Sequence, residues 1–377
     1  MKHIAFFLPS MEGGGAERVV INLLEEMLLQ DISLDLVLAA AEGSFLNRVP
    51  SEVRIIDLAA GRVVKAVLPL SKYLKKYKPQ ALISHLAHAN VMSVIAKELA
   101  HTDTELVLVE HNTLSASKSQ LIRAKLVPPL MKLVYPRANH LVGVSQAVSN
   151  DLESQLCLNK GTVKTIYNPV VNNNLIAKAQ APLEHSWFTE NSPPVFIAVG
   201  RLTAQKDFAT LIKAFALLRQ KKLARLIILG EGELRTELEK LIDNLGMSDA
   251  VLMPGFVANP YAYMSRSKAF ILSSLWEGLP TVLIEAMACG CPVISTDCPS
   301  GPKEILEAGK YGELVPMSNV EALYKAMLNV LDLPINNKLL TERAMYFSFE
   351  RAVSKYLNIL STDLSKSNKC ISFSSSS

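Results

Sequence analysis

Two glutamates stand eight positions apart in a segment whose other residues favour the binding of an anion. The segment covers residues 276–292 and reads WEGLPTVLIEAMACGCP, with Glu277 and Glu285 as its carboxylates. Pro280 suits the first turn of a helix and Gly290 suits its end, so the pattern predicts a loop followed by a short helix. Glu277 then lies in the loop, and Glu285 lies about one and a half turns into the helix.

The start of the predicted helix supplies an anion pocket between the two carboxylates. The first N–H groups of a helix have no partner within the helix, and the helix dipole favours negative charge there. The positions expected to face the anion are Gly278, Thr281 and Val282. Two carboxylate acceptors beside such a pocket suit a ligand that carries phosphates and hydroxyls together, as a nucleotide sugar does.

Two basic residues could complete this pocket. Arg201 and Lys206 stand in the loop after an apolar strand predicted over residues 195–199, and a helix is predicted from Phe208. Doubly wound folds bind ligands at such carboxyl ends of strands. The two side chains could be ordinary surface charges, but beside the helix start they would clamp a diphosphate and stabilise the charge that develops as it leaves. The chain has no Asp-x-Asp pair for a divalent metal, so neither a metal nor a cofactor is expected.

The first half of the chain has two features at predicted strand ends. Gly14 and Gly15 follow a strand over residues 4–9, and bare glycines let the backbone approach a ligand. The loop departs from the dinucleotide fingerprint, because the third glycine position is Arg18, where the helix is predicted to begin, and a plain tight turn is the alternative. His111 closes a strand and is interpreted as facing the ligand. The other histidines lack this context and are interpreted as structural: His3, His85, His88, His101, His140 and His185.

Strand and helix patterns alternate through both halves, which predicts an α/β fold with parallel sheets. The further predicted strands of the first half cover residues 35–39, 81–84, 106–109 and 140–144. Those of the second half cover residues 225–229, 251–253, 269–272 and 293–296. The 377 residues suit two domains, and a hydrophobic content of 49% allows a large core.

Cysteine usage and the start of the chain indicate a cytoplasmic protein. The chain has 5 cysteines, and the spacing of Cys289 and Cys291 is too tight for the usual zinc site. No signal peptide precedes the first predicted strand, and no apolar run reaches the roughly 18 residues of a spanning helix.

Basic residues are concentrated in the first half. Residues 58–150 contain 12 Lys and Arg but only 4 Asp and Glu, and the basic residues alternate with apolar ones. A solvated face is the plain interpretation. Basic amphipathic helices also bind anionic lipid head groups, so we expect contact with an anionic membrane surface. No nucleic-acid-binding module is recognisable, so nucleic acid is not an expected partner.

Taken in order, the motifs resemble those of the retaining family-4 glycosyltransferases (glycosyl transferases group 1). They are GGGAER at residues 13–18, Gly200-Arg201 with Lys206-Asp207, Gly230-Glu231-Gly232, Pro254-Gly255-Phe256 and the Glu277/Glu285 pair. The resemblance implies the GT-B architecture, in which two Rossmann-like doubly wound domains face each other across a cleft. It covers residues 1–362.

The resemblance also implies roles for the site residues. Glu285 would accept a hydrogen bond from the nucleotide ribose, and Glu277 would hold a hydroxyl of the donor sugar. Arg201 and Lys206 would bind the diphosphate, and His111 would lie near the transferred sugar. The other implied donor-binding positions are Gly14, Gly15, Gly232, Phe256, Val257, Gly278, Thr281 and Val282. The implied mechanism is same-face attack by an acceptor hydroxyl, with the leaving phosphate taking the proton and the configuration retained.

The implied domain organisation has five parts. Residues 1–171 form an acceptor-binding Rossmann-like domain, residues 172–194 a linker and residues 195–346 the nucleotide-sugar-binding domain. Residues 347–362 form a helix that returns to the first domain, and the serine-rich residues 363–377 are expected to be disordered.

Two stretches resemble bacterial enzymes that build lipopolysaccharide, capsule or other surface glycans on lipid carriers. They are residues 297–306 and 109–113. We therefore expect a hexosyltransferase at the inner face of the membrane. It would transfer a hexose or N-acetylhexosamine from a UDP-sugar to a lipid-linked or nascent glycan. Two alternatives stay open: a nucleotide-sugar 2-epimerase and a non-catalytic nucleotide-sugar binding protein.

Overall fold

The computed structural model describes residues 2–115, 129–332 and 337–362. The chain divides into two compact units, one with the described residues up to Pro169 and from Phe349 onward, the other from Val170 to Ser348. Each unit contains a parallel sheet with helices between its strands, which confirms the predicted class of two Rossmann-like domains. The tail predicted to be disordered, residues 363–377, lies outside the described residues.

The first unit is built on a seven-stranded sheet with the order β3-β2-β1-β4-β5-β6-β7. Its strands are β1 (Lys2–Leu8), β2 (Ile32–Leu38), β3 (Arg54–Asp57), β4 (Ala81–His85), β5 (Glu105–Glu110), β6 (His140–Gly143) and β7 (Val163–Thr165). Its named helices are α1 (Gly15–Met27), α2 (Val67–Tyr77), α3 (Ala87–Ala100), α4 (Gln146–Leu156) and α13 (Phe349–Thr362). Residues 129–134 are helical as well.

Apolar side chains cover both faces of this sheet. Phe6 of β1 packs on the face that α1 and α13 cover, and Phe7 packs on the face that α2 and α3 cover. The C-terminal helix predicted over residues 347–362 corresponds to α13. Its Tyr356 is buried in the same core as Val20 of α1, so this helix is part of the first unit.

The second unit is built on a six-stranded sheet with the order β10-β9-β8-β11-β12-β13. Its strands are β8 (Val195–Val199), β9 (Arg225–Leu229), β10 (Val251–Gly255), β11 (Ala269–Leu272), β12 (Val293–Thr296) and β13 (Glu313–Val315). Its helices are α5 (Asn173–Gln180), α6 (Phe208–Arg219), α7 (Arg235–Asn244), α8 (Pro260–Met264), α9 (Thr281–Ala288), α10 (Pro302–Ile305), α11 (Val320–Asp332) and α12 (Asn337–Ala344).

The structure differs from the sequence predictions in its edge strands and in the predicted linker. β3, β7 and β13 are absent from the predictions, because each is a short edge strand that contains a charged residue and so lacks the apolar run that marks a strand such as β11. Residues 172–194 contain α5, which packs beside α8. There Asn259 Nδ2 donates to Lys178 O over 2.9 Å, and Ser265 Oγ donates to Ala179 O over 2.7 Å. These contacts place the segment within the second unit.

Candidate active site

The strand order of the second unit creates a branch point between β8 and β11. From there the chain builds outward in both directions, to β9 and β10 on one side and to β12 and β13 on the other. Doubly wound folds bind ligands in the crevice that opens at such a point. Arg201 and Lys206 follow β8, and Glu277 follows β11. The sheet therefore brings together two loops whose key residues are 71 positions apart.

Lys206 and Glu277 form a salt bridge at this branch point. Lys206 Nζ donates to Glu277 Oε1 over 2.6 Å, and Ser274 Oγ donates to the same oxygen over 2.6 Å. The side chains of Lys206 and Glu277 are only 16% and 9% exposed, so water screens their attraction only in part. Both charged groups therefore hold a defined position.

Hydroxyl side chains also hold the backbone around this pair. Ser300 Oγ donates to Glu277 O over 2.7 Å, and Ser273 Oγ donates to Lys206 O over 2.6 Å. Ser273, Ser274 and Ser300 are absent from the sequence prediction. The only sequence signal for these serines is their position just beyond β11 and β12. That signal points to the site only once these two strands are known to be neighbours in the sheet.

Helix α9 begins in the segment predicted to bind an anion, as the sequence pattern indicates. It runs from Thr281 to Ala288, with Pro280 as its cap residue and Gly290 after its end at a φ of +72°. Glu285 is half-buried on α9. Burial, and next the charge of Glu285, raise the pKa of the Cys289 thiol one turn later to about 12. The N-terminus of α9 thus follows the Glu277 loop directly, and the helix itself carries the second carboxylate.

A glycine from another segment supports that loop. Gly301 has a φ of +91°, and a Cβ there would lie 2.8 Å from Gly278 O and would collide with Pro280. Because only glycine tolerates both the left-handed backbone and the close approach, the chain after β12 can press against Gly278.

The remaining predicted positions of the second unit lie at neighbouring strand ends. Arg201 is exposed in the loop after β8 and takes no part in the Lys206–Glu277 pair. A Cβ on Gly232 would collide with the backbone of Leu202, so the loops after β8 and β9 touch there. Phe256 is 83% exposed and Val257 is half-buried, both directly after β10. The Phe256 ring is therefore open to contact with a ligand.

In the first unit the branch point lies between β1 and β4. Helix α1 begins at Gly15 with Gly14 as its cap, so the predicted helix start at Arg18 is wrong by three residues. Glycine is a poor helix former, which is why the sequence pattern favours a later start. A Cβ on Gly15 would meet no atom within 4 Å, so the backbone at this helix start faces open space.

His111 follows β5 and contacts a second histidine. His85 Nδ1 and His111 Nε2 are 2.9 Å apart, and the two ring centroids are 5.2 Å apart. Burial lowers the pKa of His111 to about 4 and that of His85 well below its ordinary value, so both rings are neutral at neutral pH. From the sequence, His85 is interpreted as structural for lack of such a context, and the strand is predicted to end at residue 84. The strand includes His85, which places the ring at the carboxyl edge.

Glu110 is buried directly before His111. Asn90 Nδ2 donates to Glu110 Oε1 over 2.8 Å, and the Tyr135 hydroxyl donates to the same oxygen. Burial raises the pKa of Glu110 to about 7, although both hydrogen bonds favour its charged form. A carboxyl group that titrates near neutral pH therefore lies behind the His111 backbone.

We expect Glu110→Gln to remove a pH-dependent loss of stability. The folded pKa of about 7 exceeds the ordinary 4.5, so the folded state binds more protons and the wild type loses stability as pH rises through this interval. Glutamine keeps an acceptor and cannot ionise. As pH rises from about 5 to about 8, the free energy of unfolding of the variant, measured in urea, should increase by up to about 3 kcal/mol relative to that of the wild type. Glu321→Gln on the exposed face of α11 is the matched control, and a gain independent of pH would contradict the interpretation.

A cavity of about 380 Å³ opens at the same edge of the first unit. Ser10 and Ala40 line it two residues after the ends of β1 and β2, and His88 lines it from the first turn of α3. Arg62 and Glu42 add opposite charges to its wall. Burial lowers the pKa of His88, so its ring is neutral. The volume falls within the range of small-molecule sites, and none of these residues is in the sequence prediction.

Two family models match the chain, "Glycosyltransferase Family 4" over residues 13–172 and "Glycosyl transferases group 1" over residues 183–345. The chain belongs to this family of glycosyltransferases, and its two sheets are those of the GT-B fold. The resemblance found in its motifs is thereby confirmed for the family and the fold.

Relatives match along most of the chain. The chain is 31% identical over 346 residues to the N-acetylgalactosamine-N,N'-diacetylbacillosaminyl-diphospho-undecaprenol 4-alpha-N-acetylgalactosaminyltransferase of Campylobacter jejuni, covering 88% of this chain and 91% of that enzyme. It is 34% identical over 255 residues to an uncharacterized glycosyltransferase of Methanocaldococcus jannaschii, covering 65% of this chain but only 62% of that protein. The Anabaena protein HepE, solved with UDP and glucose, matches with a TM-score of 0.76 at 21% identity over 96% of this chain and 100% of that one. At such an identity the structural likeness shows the fold alone.

Proposed function

We propose that the protein transfers a hexose or N-acetylhexosamine from a UDP-sugar to a lipid-linked or nascent surface glycan, with retention of configuration. The observation that carries the proposal is the Lys206–Glu277 pair at the branch point, beside the start of α9. It joins a cation for a diphosphate to a carboxylate for a sugar hydroxyl. The UDP bound by HepE and the glycan-diphospho-undecaprenol named for the Campylobacter enzyme agree with this donor and acceptor.

The donor is held by groups of different chemistry. Lys206, Arg201 and the first N–H groups of α9 bind the diphosphate, since each carries positive charge or a donor. Glu285 accepts from the ribose, and Glu277 accepts from a hydroxyl of the sugar. The backbone at Gly278, Thr281 and Val282 lines the phosphates, Gly14, Gly15 and Gly232 allow close approach, and Phe256 and Val257 contact the base.

The reaction that we propose needs no general base from the protein. The acceptor hydroxyl attacks the anomeric carbon from the face that the diphosphate leaves, so one C–O bond forms as another breaks. A leaving phosphate oxygen takes the hydroxyl proton. Lys206 and Arg201 stabilise the charge that develops on the diphosphate, and His111 donates to a hydroxyl of the moving sugar. We propose that these cations replace a divalent metal, so a chelator should leave the rate unchanged.

The acceptor site that we propose is the cavity of the first unit. Its charged and neutral polar groups, Glu42, Arg62, Ser10 and His88, can bind sugar hydroxyls. Val64 also lines the cavity and is 64% exposed, which brings an apolar surface to its rim. Such a rim suits a glycan that is attached to a lipid.

The proposal is tested by incubating the purified protein with a panel of UDP- and GDP-sugars, with and without membranes that carry lipid-linked glycans. Donor consumption that requires the membranes, with an α-linked product from an α-linked donor in NMR spectra, is the expected result. Isomerisation of the donor without an acceptor would favour the epimerase instead. Binding of a donor without turnover would favour the non-catalytic nucleotide-sugar binding protein.

We further propose that the protein binds the inner face of the cell membrane through α2 and the segment before it. Every exposed side chain in residues 62–78 is basic or apolar, and Leu68 is 65% exposed among the lysines. Acidic head groups complement this face. None of the described helices has the length and apolar character to span a bilayer.

Replacing Lys72, Lys75 and Lys76 together with glutamine should weaken binding to anionic liposomes about 100-fold, because each charge near the surface contributes about 1 kcal/mol. The matched control replaces Lys310, Lys325 and Lys338 of the second unit, which changes the net charge equally at other exposed positions. Liposome sedimentation measures both variants. Equal weakening by both would show a general charge effect rather than a docking face.

A further inference from the structure

The contact between His85 and His111 determines which nitrogen of His111 carries its proton. The rings meet through His85 Nδ1 and His111 Nε2 at 2.9 Å, so one of these two nitrogens donates and the other accepts. Two arrangements of a neutral pair satisfy this. In the first, His85 donates and the remaining proton of His111 is on Nδ1. In the second, His111 donates, and the proton of His85 is then on Nε2.

The surroundings of His85 favour the first arrangement. His85 is fully buried and its ring stacks on Phe6 at 6.0 Å. Among the residues that the structure describes, no group lies within hydrogen-bond distance of its Nε2. The second arrangement would bury an N–H donor there without an acceptor, and orphaned buried N–H groups are rare in proteins. The first arrangement leaves only a lone pair in that position.

The backbone keeps His85 in this place. His85 is the last residue of β4 and pairs in register with Val109 of β5, two positions before His111. Leu86 then takes a φ of +77°, which is an outlier for a bulky residue, and its N–H donates to Val109 O over 3.3 Å. The sharp turn into α3 therefore follows directly after the buried ring.

We propose that His85 is a positioning residue, which holds the ring of His111 in the Nδ1–H tautomer and so makes His111 a donor towards a hydroxyl oxygen of the transferred sugar. The inference rests on the proposed function for the role of His111 towards the sugar. It adds a residue of the neighbouring strand that does not itself touch the substrate.

The test compares His85→Phe and His85→Gln with the wild type. Phenylalanine keeps an aromatic ring against Phe6 and removes the hydrogen bond, whereas the glutamine amide can still donate to His111 Nε2. Nitrogen-15 spectra of histidine-labelled, unliganded protein report the tautomer, and His111→Gln identifies its signals. Steady-state kinetics report kcat and the KM of the donor, and calorimetry reports the Kd of UDP.

We expect the wild-type His111 to show a protonated Nδ1 and an unprotonated Nε2. In His85→Phe no group donates to His111 Nε2, so the advantage of the Nδ1–H tautomer is lost and the fraction of His111 protonated on Nδ1 should fall. We expect kcat to fall up to about tenfold, as for one misplaced hydrogen bond, with the Kd of UDP unchanged because UDP lacks the sugar. His85→Gln should restore both the tautomer and most of kcat.

The proposal is overturned if His111 of the wild type carries its proton on Nε2. This measurement needs only the wild type, so it decides the question even if His85→Phe does not fold. The proposal is also overturned if His85→Phe leaves the tautomer or kcat unchanged, or if glutamine restores neither. Failure of the proposed function looks different: the wild type turns over no donor, while the spectra still report the tautomer.

Discussion

Glu277→Gln is expected to lower kcat about 10²–10³-fold while the Kd of UDP changes little. Glutamine has the same shape but lacks the negative charge, which attracts Lys206 and strengthens the hydrogen bond that the carboxylate accepts from a sugar hydroxyl. Because Glu277 is nearly buried with two donors on one oxygen, the loss is not screened as it would be at an exposed site. Initial rates of sugar transfer and calorimetric titration with UDP measure the two effects.

The matched control for this change is Glu321→Gln. Glu321 also forms a salt bridge with a lysine, Lys325, but at 3.4 Å and with its side chain 58% exposed. Rates equal to those of the wild type are expected for the control. Full activity of Glu277→Gln would contradict the role of this carboxylate, and a parallel loss of UDP binding would show that it holds the nucleotide rather than the sugar.

Lys206→Met is expected to weaken UDP binding about 10–100-fold and to lower kcat by about 10²-fold. Lys206 is proposed to bind the diphosphate both in the donor and as it leaves, so its loss affects the ground state and the transition state. The substitution also leaves Glu277 with Ser274 as its remaining partner on Oε1. The variant should therefore unfold at a lower temperature than the wild type, because a nearly buried carboxylate has lost its counter-charge.

Lys325→Met is the control for the lysine, since it removes the cation of the exposed pair with Glu321 and should cost at most about 1 kcal/mol of stability. The double variant Lys206→Met with Glu277→Gln gives a sharper test. The two side chains are in direct contact, so the combined loss of activity should be smaller than the product of the single losses. Independent, multiplying losses would show that the salt bridge is not a functional unit.

The second unit was largely predictable, because most of its strands are continuous apolar runs and α9 has clear breakers. Runs of apolar residues mark β8, β9 and β11, while Pro280 and Gly290 bound α9. The elements without such signals were missed. β3, β7 and β13 are short edge strands, and α1 begins in glycines that favour no helix. Residues 172–194 look like a polar linker, yet α5 is held by hydrogen bonds from Asn259 and Ser265, which no local pattern reveals.

The sequence by itself determined which chemical groups stand in and near residues 276–292: two glutamates around a helix start, with two cations in an earlier loop. These are local facts, since the spacing and the breakers Pro280 and Gly290 set the bounds of the helix. Only the tertiary structure decided which groups touch. It joined Lys206 to Glu277 and His85 to His111, because parallel neighbours in a sheet align strand ends that are far apart in sequence. The tertiary structure also decided where buried groups titrate, since burial rather than residue type lowers the pKa of His111 and raises that of Glu110.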